Sequence, residues 1–68
     1  MSNDSPLAHR IVSEYREMPD LALTVWQAAR LWSLEQPRAR RVLEDLERTG
    51  ALRQNGAGQY LLGRAPVI

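Results

Sequence analysis

Arginine is the residue with which this chain can do most, and its arginines are unevenly placed. Arg38, Arg40 and Arg41 fall within four consecutive positions just after Gln36, while the others are spread from Arg10 to Arg64. A guanidinium is permanently charged and presents a planar fork of donors, which fits a phosphate or the O6 and N7 acceptors of guanine. Binding of a polyanion is therefore the first chemistry to weigh. Residues 1–35 carry three arginines against five acids, net −2, and residues 36–68 carry six against three, net +3, although the whole chain stands at only +1. The positive half is the candidate for such a partner. There is no lysine, a bias that GC-rich coding explains more simply than selection for forked contacts.

No other set of side chains is arranged for chemistry. His9 is the one histidine and cysteine is absent, so a metal lacks the second imidazole or thiolate that a site needs. Ser13, Ser33 and Thr49 have no base beside them in a recognisable motif. Gly56-Ala57-Gly58 leads into a strand, unlike a phosphate loop, which joins a strand to a helix. Glu14 and Glu17 belong on a helix surface, and 68 residues leave little room for a substrate pocket. The expectation is a protein that is not an enzyme and uses no cofactor and no metal. No apolar run approaches the roughly 18 residues that span a bilayer, and the polar, acidic start Met1-Ser2-Asn3-Asp4 is unlike a secretory signal. With cysteine absent as well, a cytoplasmic protein is expected.

The elements that would hold the arginines can be read from period and punctuation. Ser5-Pro6 is a capping residue followed by proline at the first helical position, and Leu7, Ala8, Ile11, Val12, Tyr15 and Met18 then recur at three- and four-residue spacing. Pro19-Asp20 stops this first helix. Leu21-Ala22-Leu23 suits a brief extended segment able to pair with a later hairpin. Thr24 and Gln27 form a capping box that opens a second helix, about Val25 to Trp32. Ser33-Leu34-Glu35 is a tight turn, and a third helix starts near Gln36 or Pro37, where proline is tolerated because first-turn amides have no intrahelical partner. Ala39, Val42, Leu43 and Leu46 are its inner stripe, and Gly50 ends it in a left-handed cap. Ala51-Leu52-Arg53 and Gln59-Tyr60-Leu61-Leu62 read as a hairpin, with Asn55-Gly56-Ala57-Gly58 supplying positive-φ residues for its turn.

Helix, short strand, helix, tight turn, helix and hairpin is the order of a winged helix-turn-helix: mainly α, three helices with a two- or three-stranded wing. Two helices crossing at about 90–120° through a three- or four-residue turn need small residues at the crossing and an apolar plug at the corner. Ala28 and Ala29 are the small residues, Trp32 and Leu34 the plug, and Ala39 and Val42 face inward. Residues 1–64 are expected to form one domain, with 65–68 as a tail. The chain resembles the N-terminal DNA-binding domain of IclR-type transcriptional regulators, and is similar also to the MarR-type domain, over residues 23–64. The resemblance rests on Leu23-Thr24, Ala28-Ala29, the stretch Arg41-Val42-Leu43-Glu44-Asp45-Leu46, the exit Thr49-Gly50-Ala51-Leu52-Arg53, and Gly58-Gln59-Tyr60-Leu61-Leu62-Gly63. Ser33 stands where such turns often carry glycine, Pro37 where a small polar residue is common, and Trp32 is large for the corner. Those regulators carry an effector or dimerisation part, for which this chain has no space, so ligand sensing is not implied.

What the resemblance implies is a small bacterial-type transcriptional regulator that binds double-stranded DNA. The N-terminal half of the third helix would enter the major groove. Arg38 and Arg41 are then the base-edge candidates, flanked by Arg40, and Gln36 reads either a base edge or a phosphate. Arg53, Asn55 at the hairpin tip and Arg64 beyond it would follow the backbone or minor groove, and Ser33 and Gln27 would meet phosphates. Against this stand Glu44, Asp45 and Glu47 on the same helix, which suit a solvated face or a protein partner; the alternative is a winged-helix interaction module or complex subunit. Trp26 lies about 100° from the buried stripe of its helix. Either it joins helix one and the tail Ala65-Pro66-Val67-Ile68 in a homodimer surface, or it packs over Leu21 or Leu23.

Overall fold

A computed structural model describes residues 5–63. The first helix, α1 (Ser5–Glu17), is already helical at Ser5, so Pro6 stands one place further inside than expected. It is still in the first turn, where its missing N–H costs no hydrogen bond. Ile11 and Tyr15 are buried, and Leu7, Ala8 and Val12 pack against the same core. Met18 departs from the expected stripe and is 51% exposed. It follows the last helical residue, so helical periodicity no longer sets its direction, and its carbonyl accepts from the Leu21 amide at 2.9 Å in the turn around Pro19.

The short strand β1 (Ala22–Leu23) leads into α2 (Val25–Leu31). The capping box forms: the Gln27 amide donates to Thr24 Oγ1 at 3.1 Å, and the Thr24 amide donates to Gln27 Oε1 at 3.0 Å. Trp32 is the C-cap, one residue beyond the helix, and its amide donates to the Ala28 carbonyl at 3.0 Å. The turn closes when the Leu34 amide donates to the Ala29 carbonyl at 2.8 Å. That closure holds Ser33 at φ 54°, the left-handed region where glycine is at ease and other residues are strained.

Helix α3 (Gln36–Arg48) has Pro37 in its first turn and Glu35 as an N-cap whose side chain makes no capping bond. Gly50, at φ +88°, turns the chain away. Strands β2 (Leu52–Gln54) and β3 (Tyr60–Leu62) form the hairpin, and β3 also pairs with β1, giving an antiparallel sheet of order β1-β3-β2. The register sets Leu23 and Gln54 on either side of Tyr60. Within the turn, Asn55 Oδ1 accepts from the amides of Ala57 (2.8 Å) and Gln59 (3.0 Å), which fixes the loop without a left-handed asparagine. Only Gly58 of the four turn residues has positive φ, +78°.

One core joins all these elements: Ile11 and Tyr15 from α1, Ala28 and Trp32 from α2 and its cap, Val42, Leu43 and Leu46 from α3, and Leu52 and Tyr60 from the sheet. Ala28 and Ala39 are fully buried, so no large side chain keeps α2 and α3 apart. Tyr15 and Trp32 stack obliquely, ring centres 6.4 Å apart and planes at 47°. The Trp32 indole N–H is buried without a hydrogen-bond partner among the described residues. This corner gains apolar contact at the expense of one unsatisfied donor. Three helices with a three-stranded antiparallel sheet are compatible with the arrangement expected from the sequence.

Candidate nucleic-acid interface

Burial of Ala39, Val42, Leu43 and Leu46 decides which way α3 faces. At 100° per residue, the residues turned furthest from that stripe are Pro37, Arg41, Glu44 and Arg48. Together with Gln36, Arg40 and Asp45 they line one shallow groove running along the helix. All are exposed except Asp45, which is half-buried.

The charges in this groove are not equally available. Arg48 Nη1 lies 3.2 Å from Asp45 Oδ1, an exposed pair one turn apart that neutralises both at the C-terminal end. Arg40 and Arg41 make no ion pair among the described residues. The N-terminal half of the groove therefore holds two guanidinium groups without an ion pair among the described residues.

A second cluster surrounds the Tyr60 hydroxyl, where α3 meets the sheet. Its pKa is raised first by burial, then by the carboxylates of Glu47 and Glu44; a hydrogen bond from Gln54 and the charge of Arg40 act in the opposite sense. Glu47 and Glu44 thus bear electrostatically on the phenol, as does Arg40 with the opposite sign. Gln54 belongs to this cluster but not to the residues singled out from the sequence. The alternation from buried Leu52 could have indicated it, since residues two apart on a strand share a face.

Of the other expected contacts, Arg38 is exposed, but lies on the flank of the buried stripe opposite to Arg40 and does not line the groove. Arg53 is exposed at a second hollow, with Gly50, Leu52 and Gly63. The carboxamide of Asn55 is engaged inside the turn, its Nδ2 donating to Gln59 Oε1 at 3.0 Å. Gln27 is exposed with its carbonyl oxygen held by the Thr24 amide, and its N–H₂ end is left to donate. Ser33 is exposed in the strained turn. Arg64 and the tail 65–68 lie outside the described residues.

Trp26 is 53% exposed, with the Arg30 guanidinium 4.9 Å above its ring centre. Leu31, on the same helix, is 51% exposed. On α1, His9 and Ser13 line a hollow of about 280 Å³ with Arg16 and Leu46, and no hydrogen bond joins imidazole to hydroxyl among the described residues. Nor do the described residues contain a group of three side chains able to hold a metal ion, or a helix long and apolar enough to cross a membrane. No protein family, curated protein or solved structure matches the chain.

Proposed function

We propose that the chain is a winged helix-turn-helix domain that binds double-stranded DNA and serves in transcriptional control. The observation that carries this reading is the exposed start of α3, where Gln36, Arg40 and Arg41 share one uncovered strip and both arginines lack an internal ion pair among the described residues. The helix has 13 residues, about 20 Å in length, and the major groove is about 12 Å wide and admits an α-helix. With Pro37 and Arg41 pointing into the groove, Arg41 meets a guanine edge, while Gln36 and Arg40 contact a base or the adjacent phosphates. The sheet order and the resemblance of residues 23–64 to IclR-type and MarR-type domains support the same reading. The acids beside Tyr60 limit the hairpin to contacts through its outer side, where Arg53 lies.

A second reading is favoured by a different observation, the exposure of Trp26 and Leu31 on α2. It makes the domain a protein-interaction module, or adds a homodimer contact through α1 and Trp26. A mobility-shift assay on mixed-sequence duplex DNA at 50 and 200 mM salt separates the two. DNA binding predicts a shift at low salt that weakens steeply at high salt. In Arg40→Ala/Arg41→Ala the dependence should flatten, by about one in the log–log slope for each phosphate no longer neutralised. No shift at low salt removes the DNA reading.

A further inference from the structure

We infer that Glu44 is a base-reading residue that selects cytosine, one step along the major groove from a guanine held by Arg41. This rests on the DNA-binding reading above and adds a sequence preference to it. Glu44 lies three residues after Arg41 on the same outward strip. Three residues advance about 4.5 Å along a helix, close to the roughly 3.4 Å between successive base pairs, so the two side chains reach neighbouring steps.

The three acids of α3 differ in what holds them. Asp45 is paired with Arg48 at 3.2 Å. Glu47 bears more strongly than Glu44 on the Tyr60 hydroxyl and lies on the flank of the helix. Glu44 is exposed and makes no hydrogen bond or ion pair among the described residues. It is the one of the three that enters the groove with an uncommitted carboxylate when Arg41 does.

A carboxylate can only accept hydrogen bonds. In the major groove guanine offers two acceptors, thymine an acceptor and a methyl group, and adenine a donor beside the N7 acceptor. Cytosine alone offers an amino donor with no acceptor on its own major-groove edge. Three of the four bases therefore set a lone pair against Glu44, and the fourth offsets its desolvation. An acid on a DNA-facing helix lowers affinity for every sequence, but lowers it least where cytosine stands, so specificity is gained from repulsion elsewhere. Glu44, which opposes the arginines when charge is merely added up, is thereby a specificity-determining residue.

The test is selection from a duplex pool with a randomised centre, followed by anisotropy titration of the best duplex and its single-pair variants. The wild-type chain should prefer cytosine at one position by roughly ten-fold, next to a preferred guanine. In Glu44→Gln, a near-isosteric change at an exposed site, overall binding should tighten. The cytosine position should shift towards adenine, whose N6 and N7 a carboxamide reads, and the guanine preference should persist. An unchanged profile in Glu44→Gln, or a wild-type guanine preference with no neighbouring cytosine, overturns the assignment while leaving DNA binding intact. Failure of the wild type to bind any duplex at low salt overturns both.

Discussion

The Tyr15 hydroxyl donates a 2.8 Å hydrogen bond to the main-chain carbonyl of Tyr60, so α1 is tied to the central strand of the sheet. The bond is buried and spans 45 residues of sequence. It couples α1 to the strand whose own side chain reaches the acids of α3. Tyr15→Phe keeps the ring and its contact with Trp32 but removes the donor. The expected cost is about 1–2 kcal/mol, read as a lower urea midpoint with unchanged slope.

The same residue sets a pH dependence. Tyr15 is neutral when protonated, and burial pushes its pKa from 10.0 up to about 12. Below pH 10 the folded and unfolded chains both hold the proton, and the stability associated with it is complete. Between pH 10 and about 12 only the unfolded chain releases it, so stability falls as pH rises through that window. The loss reaches roughly 3 kcal/mol at its fullest. Denaturant titrations from pH 9 to 12 should show this decline in the wild type and a shallower one in Tyr15→Phe, the remainder coming from Tyr60. Equal slopes in the two proteins would contradict the assignment.

Ser33 should be improvable. Its φ of 54° costs a residue with a side chain about 1–2 kcal/mol, partly offset in Ser33→Gly by the greater freedom of glycine in the unfolded chain. A net gain of about 0.5 kcal/mol is expected for Ser33→Gly, and a loss for the β-branched Ser33→Val. Thermal melts of the two variants should move in opposite directions.

The glycines should rank by cause. A methyl group on Gly63 would overlap the Gly50 carbonyl oxygen and crowd the Ala51 backbone, neither of which can swing aside. Gly50 has open space around it but φ +88°, and Gly56 has open space and no positive φ. Stability, read from thermal melts, should therefore fall most in Gly63→Ala, by about 1 kcal/mol in Gly50→Ala, and scarcely in Gly56→Ala.

How far these features are legible in the sequence follows from how local their causes are. The capping box of Thr24 and Gln27, the proline in the first turn of α3 and the Gly50 cap are each decided within four residues, and all are present. Met18 escapes the stripe because the helix ends one residue before it, and a repeat of three and four carries no mark of its own end. The strand Ala22–Leu23 is legible as an extended piece, but its pairing with Tyr60 and Leu61 is a long-range matter of sheet closure. At the site, helical period separates Arg40 and Arg41 from the buried stripe. Yet three-residue spacing only permits the Asp45–Arg48 pair, and nothing in the sequence shows that Asn55 spends its carboxamide in its own turn. Nor can spacing within α3 reveal that the charges of Glu47 and Glu44 bear on a phenol from β3.

Whether the outward strip at the start of α3 meets DNA can be read residue by residue from amide shifts of isotope-labelled protein titrated with duplex DNA. Docking through α3 predicts that the signals of Gln36 to Glu44 move progressively on addition of DNA, while those of α1 and the Trp26 indole stay in place. Unmoved α3 signals, or shifts gathered at Trp26 and Leu31, would contradict it.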